Sequence, residues 1–283
     1  MSTPNTKIGA DVLSNNEATG WLPVSNLEIG FNENKLPATD ELAGKKINLF
    51  LENGQVIKYT FQDGTRLTWE TIKGPDKGTT FKEVYEAIQL APDLYFVDFV
   101  KKKEPLSSLT LTLDLKKQRA LCILATIPTK KEADISFLKR MSQGLNLSPT
   151  RVEILQATIN QSPTGRIVPP FKRTSDLVGK IVRYTYSRQH TYEHYYMNQR
   201  FYAWQCLKGP EKGTADADIC DYFKLAPDIY QFMWREKVVP TVGIVIINLK
   251  EMRSSGKIFG LDIPSGKAVN FTMGAIAKLV KEK

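Results

Sequence analysis

The chain has 283 residues, a formal charge of +9 and an apolar fraction of 42%. That length suits one large or two ordinary domains, and the composition is that of a globular protein. No run of about 18 apolar residues occurs, which excludes a membrane-spanning helix. Cys122, Cys206 and Cys220 are scattered and form no C-x-x-C pair, which excludes a disulfide framework and a structural zinc site.

The first twenty residues, "MSTPNTKIGADVLSNNEATG", are polar and lack a basic start followed by an apolar core. No secretory signal is expected, and a reducing cytoplasmic location suits the free thiols. The basic residues are spread thinly among acidic ones. Only Arg166, Lys172, Arg173 and the tail "KLVKEK" cluster. The charge therefore reads as a solvated basic surface, with no nucleic acid and no membrane as partner.

Residues 46–72, "KINLFLENGQVIKYTFQDGTRLTWETI", alternate apolar and polar around Asn-Gly and Asp-Gly turns at 53–54 and 63–64. This is a strong hairpin signal. Further short strands follow in "DLYFVDFV", "SLTLTLDL", "RALCILATI" and "RVEILQATI". Between the last two, Ile135, Leu138 and Met141 recur at helical spacing ahead of Gly144. That spacing predicts one inserted helix near 131–145. Residues 161–173 are rich in Pro and Arg and read as a linker.

Beyond the linker the pattern repeats. "LAGKKI" from Leu42 returns as "LVGKIV" from Leu177, "KGPDKGT" from Lys73 as "KGPEKGT" from Lys208, and "LAPDLY" from Leu90 as "LAPDIY" from Leu225. Each pair is separated by 135 positions, the step from Leu42 to Leu177. The period is too long for a solenoid repeat and indicates two copies of one domain. Strands at regular spacing with few helices predict antiparallel up-and-down barrels. The expected fold is all-β: a first barrel over 36–160 and a second over 174–283. A barrel of about eight strands can hold one small ligand.

The duplication serves as an internal control. Residues i and i+2 of a strand share a face. The apolar faces of the first copy are Ile47/Leu49/Leu51, Ile57/Tyr59/Phe61, Leu67/Trp69 and Tyr95/Val97/Phe99, with Asp98 on the opposite face. Their equivalents are Val182/Tyr184/Tyr186, Tyr192/His194/Tyr196, Tyr202/Trp204 and Tyr230/Phe232/Trp234. Glu236 follows on the same face, where the first copy has Lys101. Eight of the eleven tyrosines fall in the second copy. The first barrel thus reads as filled with ordinary core, and the second as lined with hydrogen-bonding groups around the larger polar cavity. Such groups need partners or a ligand once buried.

"HTYEHYY", residues 190–196, also contains H-x-x-E-H, an inverted zinc-protease pattern on a helix. It aligns instead with the strand "QVIKYTF". On a strand His190 and His194 stand about 13 Å apart, too far to share one ion. No metal is expected.

"DLVGKIVRYTYSRQHTYEHYYMNQRFYAWQCLKGPEKG", "WREKVVPTVGIVIINLK" and "NFTMGAIAKL" resemble the molybdenum cofactor biosynthesis protein F family, over nearly the whole chain. That resemblance implies two tandem lipocalin-like domains, and the family name implies a molybdopterin-related role. No phosphate-binding loop accompanies it, because "KGPEKG" lacks the P-loop spacing. The second copy also resembles, more distantly, the phenolic acid decarboxylases, single lipocalin-like barrels that use no cofactor. Their Tyr-x-Tyr is matched by Tyr184 and Tyr186, and their glutamate two residues after a Trp by Glu236 after Trp234. Their arginine is not matched; "EKGTA" stands in that stretch, with Lys212 in it.

Together these readings imply a cofactor-free lyase, isomerase or cyclase acting on a small aromatic or hydrophobic metabolite. Glu236 would be general acid/base, with Tyr184 and Tyr186 polarising a substrate oxygen. Tyr192, His194, Tyr196, Tyr202, Trp204, Lys212 and Trp234 would bind the ligand. The alternative is a non-catalytic carrier of a similar molecule. Self-association into a homodimer is a further expectation.

Overall fold

A computed structural model of the protein describes residues 22–161 and 169–281. The first nine strands are β1 (Lys46–Leu51), β2 (Val56–Phe61), β3 (Arg66–Lys73), β4 (Thr80–Val84), β5 (Glu86–Ala91), β6 (Leu94–Val100), β7 (Ser107–Asp114), β8 (Arg119–Thr126) and β9 (Arg151–Ile159). They form one antiparallel sheet in the order β4-β3-β2-β1-β9-β8-β7-β6-β5. Its two edges, β4 and β5, are consecutive in the chain and separated only by Tyr85. One bent segment therefore serves both edges and closes the ring. The Tyr85 hydroxyl ties the bend down by donating to the Asp63 carbonyl at 2.7 Å.

The second half repeats this with β10 (Lys172–Arg173), β11 (Ile181–Thr185), β12 (Thr191–Tyr195), β13 (Phe201–Lys208), β14 (Ala215–Ala226), β15 (Ile229–Arg235), β16 (Thr241–Asn248), β17 (Arg253–Asp262) and β18 (Lys267–Lys281). Here the closing segment is unbroken. β14 pairs with β13 through Ala215–Ile219 and with β15 through Ile219–Ala226. Closure removes the unpaired edges that would otherwise template aggregation. The repeated "KGP-x-KGT" is the β-turn ahead of this segment in both copies. Gly74 and Gly209 adopt φ of 122° and 137°, a region that disfavours a side chain. The two tandem antiparallel barrels agree with the expected fold.

The linker region departs from its reading at its end. Residues 162–168, Arg166 among them, lie outside the described residues. Phe171 is buried, and Lys172 and Arg173 pair with β14. The inserted helix is two short helices, α1 (Lys130–Ala133) and α2 (Phe137–Ser142). Local capping wins over the longer pattern. Thr129 and Glu132 form a capping box on α1, and the Ser136 hydroxyl starts α2 afresh by accepting from the Lys139 amide. Leu138 and Met141, which recur at helical spacing, are exposed.

A further helix, αN (Val24–Phe31), precedes the first barrel in the chain but packs against β17 and β18 of the second. Ser25 donates to Asp262 at 2.8 Å, and the Asn34 side chain donates to the carbonyls of Thr185 and Tyr186. None of the described helices is long and apolar enough to cross a membrane.

Each barrel has its own apolar interior, and a third cluster joins their outer walls. Ile88, Phe96, Leu121 and Ile123 of the first meet Met233, Ile244, Ile246 and Phe259 of the second. Asp98, expected on a solvent face, lies in this interface at 3% exposure. It forms an ion pair with Lys257, which is wholly buried. Thr110 and Asn270 donate to the same carboxylate, and Lys257 donates to Ser108 at 2.7 Å. Hydrogen bonds to every member offset the desolvation of the pair.

Candidate functional site

The second barrel opens beneath αN. β11, β12 and β13 alternate aromatic and polar residues, so Tyr184, Tyr192, His194, Tyr202 and Trp204 project inward. Tyr186, Tyr192, His194, Trp204, Trp234 and Glu236 line a small cavity of about 40 Å³. Phe31, at the end of αN, closes it. Its ring lies 4.2 Å from that of Tyr186 and 5.5 Å from that of Tyr192. Gly30 lets the helix approach this closely, because a Cβ there would stand 2.0 Å from the His190 ring.

Three carboxyls belong to this region, each held by the polar tip of an aromatic wall. Trp234 donates its indole N–H to Glu236 at 3.1 Å. Trp204 donates to Asp218 at 3.3 Å. The Tyr192 hydroxyl donates to Glu211 at 2.7 Å. Burial, followed by the negative charge of Asp218, pushes Glu236 up to about 8. Burial likewise raises Asp218, helped by Asp216 and opposed by Lys237. Glu211 is raised by burial, and its bond from Tyr192 works against that. His194 is 5% exposed, burial pulls it down to about 3, and its Nδ1 has no hydrogen-bond partner. Burial raises Tyr186, Tyr192 and Tyr202 above the ordinary phenol. Around neutrality the cavity presents a protonated Glu236, a neutral imidazole and neutral phenols: groups able to give or take a proton without a charged resting state.

The expected catalytic and ligand-binding residues do not all reach the cavity. Tyr184 and Tyr196 spend their hydroxyls on each other at 2.6 Å and stand behind His194, with ring distances of 4.9 and 6.1 Å. Tyr186, not Tyr184, borders the opening. Lys212 is exposed and takes no part, because the turn that carries it directs the preceding residue, Glu211, inward. His190 lies in the β11–β12 turn, with Nδ1 3.0 Å from the Ser187 hydroxyl. The H-x-x-E-H residues do not converge: Glu193 turns outward to Arg183 at 2.9 Å. Among the described residues no group of three or more His, Cys, Asp or Glu is placed to hold a metal.

The second barrel does not hold the larger opening. A groove of about 1130 Å³ runs from the mouth of the first barrel, past Tyr85, Phe99 and Lys101, to Asn270 and Thr272 of the second. The aromatic side chains that replaced leucines fill the second interior, and Phe31 fills its mouth.

Sequence reasoning missed Asp218 and Glu211. Asp218 lies on β14, whose polar run "ADADICDYFKLA" carries a weak strand signal. The first copy explains part of its role. Its equivalent, Glu83, accepts from the Lys102 amide at 2.9 Å, as Asp218 accepts from Lys237 at 3.0 Å. Both acids hold the turn after the sixth barrel segment. Glu236 and Glu211 have no such equivalents: Lys101 and the exposed Asp76 stand in their places.

A closed eight-stranded antiparallel barrel, sealed over an aromatic cavity with buried acids and fused to a core-filled duplicate, defines a class of tandem-barrel protein. The particular family follows from comparison with known sequences. The profile of the MoaF N-terminal domain matches residues 19–129, and that of the MoaF C-terminal domain matches 171–283. The chain is 32% identical over 263 residues to Protein MoaF of Klebsiella aerogenes, covering 92% of this chain and 95% of that one. The chain belongs to the MoaF family. Among solved structures, one described as "a putative beta-lactamase from Burkholderia vietnamiensis" matches at 14% identity and a TM-score of 0.31, over 44% of this chain and 97% of its own. At that TM-score the likeness carries no weight.

Proposed function

We propose that the second barrel performs cofactor-free acid–base chemistry, as a lyase or an isomerase/cyclase, on a small aromatic or hydrophobic metabolite. One observation carries this reading. A carboxyl raised to about 8 faces an aromatic cavity, at a position where the duplicate copy has a lysine. The fold does not require an acid there, so a chemical role is the economical reason for keeping a costly one. An acid near its pKa at working pH is suited to proton transfer. Tyr186 supplies a neutral hydroxyl to polarise a substrate oxygen, and Tyr184 acts behind it by orienting Tyr196. Two carboxyls and, among the described residues, no lining cation make the cavity a poor host for a phosphorylated pterin, so the family name alone supports a molybdopterin-related role.

The test is turnover of small aromatic metabolites by the wild type and single variants. Glu236→Gln is expected to lower turnover about 10²–10⁴-fold, the usual span for a lost general acid/base. Tyr186→Phe should cost about 10–10³-fold, on the scale of a lost oxyanion donor. Binding without turnover by the wild type, with affinity unchanged in Glu236→Gln, would replace this reading with the carrier.

A further inference from the structure

The electrostatics of the cavity are unbalanced in a way the fold does not explain. Among the described residues neither Glu236 nor Glu211 has a cationic partner within ion-pair distance. Lys237, next to Glu236 in the chain, is committed to Asp216 at 2.8 Å, to Asp218 and to the Ala217 carbonyl. Glu211 is buried and Glu236 half-buried, and acids so withdrawn from water normally carry a matching positive group. Here the opening they face also contains a histidine nitrogen with no partner, at a residue 5% exposed. A cavity lined by two unmatched acids, a histidine with an unpartnered nitrogen and aromatic faces suits a cation.

The first barrel shows the balanced version. Lys101 stands where the second copy has Glu236, and its ammonium lies 5.8 Å over the ring of Trp69. Trp69 is the equivalent of Trp204. The first copy therefore supplies an ammonium of its own against this indole. The second has exchanged that lysine for an acid and left the aromatic wall in place. Trp234, Tyr202 and Tyr192 add faces of the kind that attract ammonium ions. Phe31 gives the size of the rest of the ligand. Its ring, with Leu27 of the same helix beside it, fills the mouth, and the cavity left beneath, about 40 Å³, admits little more than water.

We propose that the second barrel takes a small organic ammonium ion, with its cation between Glu236 and Glu211 and its apolar body in the place now filled by the Phe31 ring. This rests on the reading of the second barrel as a ligand site, and narrows that ligand to a protonated amine with one ring-sized apolar group. The incoming positive charge favours the ionised form of Glu236, whose proton leaves to solvent, and the ammonium donates to the two carboxylates and to Nδ1 of His194. The indole faces of Trp204 and Trp234 surround its apolar side. Phe31 must swing out with the end of αN, so the helix is the gate.

The experiment compares three probes with one aromatic body at pH 7.5: benzylamine, benzyl alcohol and benzoate. Binding is followed by calorimetry and by tryptophan fluorescence, in the wild type, Phe31→Ala and Glu236→Gln. Benzylamine is expected to bind the wild type about tenfold or more tighter than benzyl alcohol, a ratio within reach of one desolvated cation–aromatic contact plus a carboxylate. Benzoate should not saturate. Phe31→Ala should tighten benzylamine at least about tenfold and keep the order of the three, because the internal occupant is gone. Phe31→Leu gives the same direction with a smaller gain should the alanine variant fail to fold. Glu236→Gln should bring the amine-to-alcohol ratio down toward one. Equal or tighter binding of benzyl alcohol in both wild type and Phe31→Ala overturns the ammonium assignment while the cavity reading stands. Binding of none of the three, even to the Phe31 variants, overturns both.

Discussion

Glu236→Gln has a consequence for stability that needs no substrate. In the unfolded chain a glutamate ionises near 4.5, whereas in the fold Glu236 holds its proton to about 8. Between those values the folded state binds one proton more than the unfolded state, so stability falls as pH rises. The slope is about 1.4 kcal/mol per pH unit. Stability from this group is fully present below the unfolded value and is lost as pH passes through the folded one. From pH 6 to pH 8 the wild type should therefore lose about 2 kcal/mol on this account. Glutamine keeps an oxygen for the Trp234 N–H and does not titrate. The variant should lose nothing from this position over the same range, and at pH 8 it should be the more stable protein. Asp218, raised by burial, adds a slope of the same sign at lower pH, common to both proteins. Urea unfolding at pH 6, 7 and 8 measures the difference directly, provided the m-values agree. Parallel stability curves for wild type and variant would refute the argument, because they would mean that Glu236 is ionised in the fold throughout.

Two further outcomes test the frame around the site. Lys257→Met leaves Asp98 as an uncompensated charge between the barrels and should cost about 3–5 kcal/mol in urea unfolding, most of it recovered when Asp98 is replaced by Leu as well. Gly243→Ala sets a methyl 2.1 Å from the Trp234 ring, so the indole must move and release Glu236; a loss of about 1–3 kcal/mol and a changed near-ultraviolet dichroism band are expected.

Much of this architecture is legible in the sequence because closed antiparallel barrels alternate strictly. The repeat of 135 positions carried the inward faces of β1–β3 and β6 onto β11–β13 and β15, and each of those side chains is buried. What was not legible has two physical causes. The first is the closing segment. "TFKEVYEAIQLA" and "ADADICDYFKLA" look too polar to be strands, because each pairs with two different strands along its length and its outer face changes surroundings halfway. With β14 unseen, Asp218 had no face to be assigned to. The second is distance along the chain. αN carries only Val24, Gly30 and Phe31 as buried residues, and the surface it covers lies some 150 positions further on, at Tyr186 and His190. No local pattern encodes such a contact.

The divergence of the two copies explains why the site is where it is. Leu49 and Leu51 fill the first interior, and at its mouth the Lys101 ammonium pairs with Glu104 at 2.7 Å and lies over the Trp69 ring. In the second copy the same positions carry Tyr184 and Tyr186, and the lysine has become an acid. Each exchange raises the energy of the empty barrel by burying a polar group that finds at best a neighbouring polar group. Tyr184 and Tyr196 recover that cost in each other, Glu211 recovers part of it from Tyr192, and Phe31 recovers contact area at the mouth. Nδ1 of His194 recovers none, and Glu236 recovers part of it from Trp234 and Thr241. Stability therefore accounts for the deeper exchanges. Of the exchanged positions, His194 and Glu236 keep a mismatch, and both line the cavity, which is where a ligand would complete the set.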